Sequence, residues 1–168
     1  MEVVEILIHD YFDNTLLNNF NKSLDAIIEP CVVVLDIKSF GGECECLEKM
    51  ELKINEMKSK GFVFVTNVDE YAYSCGFMLF ILGDIRTVSD TAELMFHAPA
   101  IDYFGRMTEK DAKEMVVVLE NVQQLCDRLI VENTTVTPEN YSIMKKSTTF
   151  FNKADLIHFG IMELEYKL

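Results

Sequence analysis

The sequence predicts an α/β fold around a largely parallel sheet, and three observations carry that expectation. Two runs, Cys31-Val32-Val33-Val34-Leu35-Asp36-Ile37 and Phe62-Val63-Phe64-Val65-Thr66, are apolar almost without a break, as strands covered on both faces are. The stretch between them has the length and periodicity of a helix. A strand-like start and a second helix-like stretch precede both, and such alternation builds right-handed crossovers.

Glu2 to Ile8 alternates and is β-branched enough for the first strand. Asp13-Asn14 offers caps for a helix whose apolar residues Leu16, Leu17, Phe20, Leu24, Ile27 and Ile28 recur at spacings of three and four. Pro30 stops it. After the Cys31–Ile37 strand comes a sharp loop, Ser39-Phe40-Gly41-Gly42, then a helix from about Glu45 to Lys60 with Leu47, Met50, Ile54 and Met57 on one face and Gly61 closing it. The Phe62–Thr66 strand leads to a stretch that is nearly all apolar from Cys75 to Leu82, a short helix buried all round. Ile85–Val88 and Glu93–Phe96 read as short strands, and His97-Ala98-Pro99 leaves the second. From Thr108 a long helix carries Met115, Leu119, Val122, Cys126 and Leu129 as a heptad-like seam. Pro138-Glu139 opens a short helix, and Asn152 caps a last one ending at Gly160.

The chain has 168 residues, enough for one domain with a core of its own. Apolar residues make up 49% of it, which excludes a disordered tail. Twenty-eight acidic residues against fifteen basic ones give a formal charge of −13, a surface that repels nucleic acid and anionic membranes. The start carries acids where a signal peptide needs bases, and no stretch approaches the roughly 20 apolar residues of a membrane span. Five cysteines, an odd number without repeated spacing, suggest neither disulfides nor a zinc site; Cys44 and Cys46 form a lone C-x-C. The expectation is a cytoplasmic protein without membrane, metal or cofactor. In such a chain the sequon Asn133-Thr134-Thr135 carries no meaning.

Three features bear chemistry when taken together. Gly41-Gly42 follows a buried strand; its plain reading is a turn, and its functional reading is a backbone free to offer N–H groups to an oxyanion. Ser74 opens the apolar helix, either as a cap or as a nucleophile whose negative products the Cys75 N–H and the helix dipole stabilise. His97 ends a strand, as a structural histidine or as the base that a serine needs; His9 and His158 sit in surface-like contexts.

In order and spacing these features resemble the proteolytic subunit of the Clp protease, a serine peptidase of the Clp/crotonase fold. The family's Ser-Pro-Gly-Gly loop corresponds to Ser39-Phe40-Gly41-Gly42. Its nucleophile stretch Gly-x-Ala-Ala-Ser-x-Gly corresponds to Glu70-Tyr71-Ala72-Tyr73-Ser74-Cys75-Gly76. Its Met-Ile-His-Gln-Pro stretch corresponds to Met95-Phe96-His97-Ala98-Pro99, and its Glu-Ala-x-x-Tyr-Gly-Leu segment to the region Ala154–Ile161. The long helix from Thr108 falls where the family has the "handle" that joins two rings. The resemblance implies a Clp/crotonase-like spiral of ββα units, with a head at about 1–107 and 148–168 and a protruding handle region at about 108–147. It also implies Ser74 and His97 as catalytic residues, Gly42 and Cys75 as the oxyanion hole, a homo-oligomeric ring of heptamers, a peptide or unfolded-protein substrate, and an AAA+ unfoldase as partner.

The sequence departs from the pattern at several points. The triad aspartate falls at Thr148, within Lys146-Ser147-Thr148-Thr149-Phe150, where no carboxylate stands. Either Thr148 orients His97 as a weaker acceptor, or Asp102 or Asp155 supplies the acid, or the chain is a slow or inactive relative. Phe40 replaces the loop proline and Glu70 the first glycine. Tyr71 and Tyr73 flank the serine, narrowing the pocket or packing in the core. Ile101-Asp102-Tyr103-Phe104-Gly105 keeps one glycine of the strand that holds peptide in the family. The leading expectation is a serine endopeptidase of a divergent member, and its length and loose motifs fit a viral one. The alternatives are an inactive ring or scaffold subunit and, more weakly, a crotonase-type acyl-CoA enzyme.

Overall fold

The structure, a computed structural model, describes residues 2–163; the expected head segment therefore runs beyond the described residues at 164–168. Its first sheet follows the predicted alternation. Strands β1 (Val3–Ile8), β2 (Val32–Ile37), β3 (Val63–Val68) and β5 (Ile85–Val88) lie in the order β1-β2-β3-β5, all parallel. The crossovers that join the first three of these strands are supplied by α1 (Asn14–Asp25) and α2 (Cys44–Ser59). Asp13 caps α1 through its side chain, accepting from the Leu16 N–H at 2.9 Å.

The second sheet is smaller and carries the chemistry. It holds β4 (Tyr71–Tyr73), β6 (Glu93–Phe96) and β7 (Thr149–Phe151), in the order β4-β6-β7, with β4 parallel and β7 antiparallel to β6. A short bridge, Ser39↔Ala72, ties it to the loop after β2, and a second, Phe12↔Gly42, ties that loop to the segment after β1. Helix α3 (Cys75–Phe80) starts directly from β4 and is buried throughout, as its unbroken apolar sequence requires. Phe77 sits at its centre, stacked on Phe151 and edge-on to Phe96, so one side chain joins α3 to β6 and β7.

Helix α4 (Glu109–Asn133) opens with a capping box between Thr108 and Asp111, then α5 (Pro138–Lys146), β7 and α6 (Lys153–His158) complete the described chain. The seam of α4 divides in two. Cys126 and Leu129 are buried in the core, whereas Met115, Leu119 and Val122 are only half-buried. Arg128 anchors the buried half, donating to both oxygens of the buried Glu51 of α2 at 2.6 and 2.7 Å. Residues 97–108 form no strand, so Ile101–Gly105 does not provide the peptide-holding strand that the resemblance implies.

Candidate active site

Ser74 occupies the single residue at which β4 becomes α3. Its N–H donates to the Met95 carbonyl at 2.9 Å, extending the β4–β6 pairing, while its carbonyl accepts from the Met78 N–H at 3.0 Å, beginning the helix. To satisfy both partners its backbone takes φ 54° and ψ −117°, and it is the one non-glycine residue among those described with positive φ. Such a conformation costs about 1–3 kcal/mol and persists only where its surroundings impose it. The hydroxyl does not cap α3, so the plain reading of Ser74 as a helix cap fails.

Instead Ser74 Oγ lies 2.9 Å from His97 Nε2. His97 is delivered by the end of β6, the strand that pairs with β4, so one parallel register brings together residues 23 positions apart. Its Nδ1 lies 2.7 Å from the carbonyl oxygen of Ala98. A carbonyl only accepts, so in the neutral ring the hydrogen sits on Nδ1, and Nε2 presents its lone pair to the serine hydroxyl. That is the tautomer a general base requires. Pro99 restricts Ala98 to extended backbone, steadying the carbonyl.

Thr148, the expected third position, does not fill it with its side chain. The pairing Phe96↔Thr149, continued by one residue, sets Thr148 opposite His97. Yet it is exposed, and among the described residues no hydrogen bond joins it to His97. The Ala98 carbonyl has taken the ring nitrogen. Neither alternative acid replaces it. Asp155 is held in the capping box of α6, accepting from the Asn152 N–H at 3.1 Å, and Asp102 is exposed in the irregular segment after His97.

The glycine loop abuts the serine. A Cβ on Gly41, whose φ is 99°, would come within 2.7 Å of Ser74 Cβ and 2.9 Å of the Tyr73 carbonyl. One on Gly42, at φ 151°, would strike Phe12 at 2.6 Å. The loop is pinned from within: buried Ser39 donates to the Asp10 carbonyl at 2.6 Å and accepts from the Gly41 N–H at 3.1 Å. Phe12 N–H donates to Gly41 O, and Glu43 N–H donates to Phe12 O, so this pairing passes on either side of Gly42. The Gly42 N–H has no partner among the described residues, and the Cys75 N–H, first in its helix, is likewise without one.

Gly42, Ser74, Cys75 and His97 all line one cleft of about 420 Å³, whose far wall is α4 with Val118, Val122 and Leu125. Neither Tyr71 nor Tyr73 enters it. Both are half-buried and pack on the exposed Phe40 on a separate surface, Tyr71 stacked and Tyr73 edge-on and donating to Glu93, so they neither block the pocket nor join the core. A somewhat larger depression of about 490 Å³ lies around Arg86, Thr135 and Gly160 and holds neither Ser74 nor His97.

Sequence reading missed Cys44. The C-x-C suggested a metal pair only to be set aside, and the two thiols in fact diverge: Cys46 turns to the Asp13 carbonyl, while Cys44 faces the cleft, 3.8 Å from the sulfur of Cys75. It also missed the Ala98 carbonyl, a group that no side-chain motif encodes.

The family model for Clp protease matches residues 6–164. The chain belongs to the Clp protease family. Among solved structures, the ClpP1 protein of Listeria monocytogenes, determined as a point mutant, matches with a TM-score of 0.76 at 18% identity, over 97% of this chain and 92% of that one. At that identity the likeness shows the Clp fold and nothing finer. No curated protein matches the sequence. The Clp spiral accounts for the two sheets, with the nucleophile stretch, the histidine stretch and β7 adjacent in the smaller one. No helix among the described residues is long and apolar enough to cross a membrane.

Proposed function

We propose that this Clp family member is a serine endopeptidase in which Ser74 and His97 act as a dyad. The observation that carries the reading is the 2.9 Å contact between Ser74 Oγ and His97 Nε2 at the edge of an open cleft. Ser74 attacks a peptide carbonyl while His97 accepts its proton, and His97 later returns that proton to the leaving amine. The Gly42 and Cys75 N–H groups, without a partner among the described residues and beside the serine, receive the developing oxyanion. The cleft's apolar lining suits an apolar side chain next to the scissile bond.

The Ala98 carbonyl takes the position of the triad acid. It orients the ring and selects its tautomer, but it carries no full charge to stabilise the imidazolium. The activity is accordingly slow, since replacing the acid by a neutral group costs ∼10⁴ in well-studied triads. The half-buried and exposed apolar residues of α4 support assembly with further copies of the chain into the ring typical of the family, fed with unfolded polypeptide by an unfoldase in the cytosol. The uncharged Thr148 supports a second reading, an inactive scaffold subunit.

A short fluorogenic peptide with an apolar residue before the scissile bond separates the two. The peptidase reading expects slow hydrolysis that Ser74→Ala and His97→Ala each abolish. No hydrolysis by the folded, assembled protein, or equal rates in all three, leaves the scaffold reading.

A further inference from the structure

Cys44 and Cys75 are the first residues of α2 and α3, and their sulfurs lie 3.8 Å apart beside the nucleophile. Both residues line the cleft. Cys75 is buried, and its sulfur also reaches the Gly42 carbonyl at 3.3 Å; Cys44 is half-buried and open to the cleft. The other thiols are differently placed. Cys46 and Cys31 do not line the cleft, and Cys126, which does, has no hydrogen bond to either sulfur among the described residues.

We propose that Cys44 and Cys75 form an oxidation site for peroxides, closing to a disulfide that shuts the oxyanion wall. The shut-off rests on the peptidase reading above; the thiol chemistry does not. The Cys44 thiolate attacks one oxygen of hydrogen peroxide, breaking the O–O bond; hydroxide leaves and Cys44 becomes a sulfenic acid. Cys75 sulfur then attacks Cys44 sulfur, and the displaced hydroxide takes the Cys75 proton as water. Two thiols lose two electrons and one peroxide becomes two waters.

Geometry and charge favour this order. Cys44 is the thiol a small oxidant meets from the cleft. The hydrogen-bond contact with Cys75 holds the Cys44 thiol down to about 7, whereas that contact and burial push Cys75 up. A disulfide bond of about 2.05 Å requires the sulfurs to approach by roughly 1.8 Å. That motion takes Cys75 sulfur off the Gly42 carbonyl and draws the Gly42–Cys44 segment toward the start of α3. Both proposed oxyanion donors, the N–H groups of Gly42 and Cys75, lie on the pieces that move.

The test treats the reduced full chain with hydrogen peroxide, blocks remaining thiols with N-ethylmaleimide, and reads both linked peptides and labelling of Ser74 by a fluorophosphonate. The expected result is a Cys44–Cys75 linked peptide, with labelling down by about 10²-fold, the effect of losing an oxyanion donor, and restored by dithiothreitol. In Cys44→Ser the oxidised-to-reduced labelling ratio stays near one. A link from Cys75 to Cys126 instead, a Cys44 oxidised without a link, or equal loss in Cys44→Ser overturns the proposal. So does a Cys44–Cys75 link that leaves labelling unchanged. A link in a protein that is labelled in neither state upholds the thiol chemistry and overturns the peptidase reading.

Discussion

The core of the head and the first half of α4 use apolar residues in opposite ways. Phe12, Phe64, Phe77, Leu94 and Phe96 are each at most 1% exposed, shared among both sheets and their helices. On α4, Val116, Val117 and Val118 are 52%, 54% and 51% exposed, and Phe104 on the approach to the helix is 93% exposed. One set is finished by the fold itself. The other is left exposed among the described residues, although its side chains are as apolar. Burial is therefore what separates residues that hold this domain together from apolar residues left on its surface, and the cleft with Ser74 runs along the boundary between them.

The largest break in that contrast comes from the head. Phe77→Ala removes the ring that joins α3 to β6 and β7, and about 3–5 kcal/mol of stability should go with it, read as a fall in the denaturant midpoint. The joint between the regions ranks next. Glu51→Ala leaves Arg128 without its bidentate partner, and about 2–3 kcal/mol is expected, below the full value for a buried pair because the Arg128 side chain is 42% exposed. A loss under about 0.5 kcal/mol, the size of an ordinary surface change, would mean that this pair does not fasten α4 to the head.

Within the site, Thr148→Asp puts a carboxylate opposite His97. Peptide hydrolysis should rise about 10- to 100-fold, part of the ∼10⁴ that such an acid is worth when fully preorganised. An unchanged rate in a folded variant would show that the Ala98 carbonyl keeps the Nδ1 hydrogen. At the boundary itself, Cys44 should react with iodoacetamide with a midpoint near pH 7, because the thiolate fraction rises as pH passes the lowered pKa. A midpoint near the ordinary ~8.5 would show that the Cys75 contact does not lower the Cys44 thiol. The smallest stability effect belongs to Val117→Glu, within about 0.5 kcal/mol for the chain itself, with light scattering reporting smaller assemblies. An unaltered assembly would remove Val117 from any interface.

The parallel sheet was legible because strands buried on both faces leave long apolar runs, and α1 announced itself through Asp13 and its three-four spacing. The strands β4 and β7 were not, since three residues are too few for a period to show. At the site, Ser74 and His97 stood out as a polar residue opening an apolar helix and a histidine closing a strand. What remained hidden depends on distance in the chain or on the backbone. Cys44 gains meaning only from a cysteine 31 positions away, Glu51 from an arginine 77 away, and the Ala98 carbonyl from the turn that points it at its neighbour's ring. Thr148 was placed by the resemblance but not in its role: register sets it opposite the histidine, yet a side chain there need not touch the ring.

The most direct measurement is fluorophosphonate labelling followed by peptide mapping on the reduced wild-type protein, Ser74→Ala and His97→Ala. A dyad predicts modification of Ser74 in the wild type, none in Ser74→Ala, and labelling slowed by about 10³-fold or more in His97→Ala, where the serine keeps its place but loses its base. Modification of a different residue, or a rate for His97→Ala equal to that of the wild type, would contradict the central claim that these two side chains act as one catalytic unit.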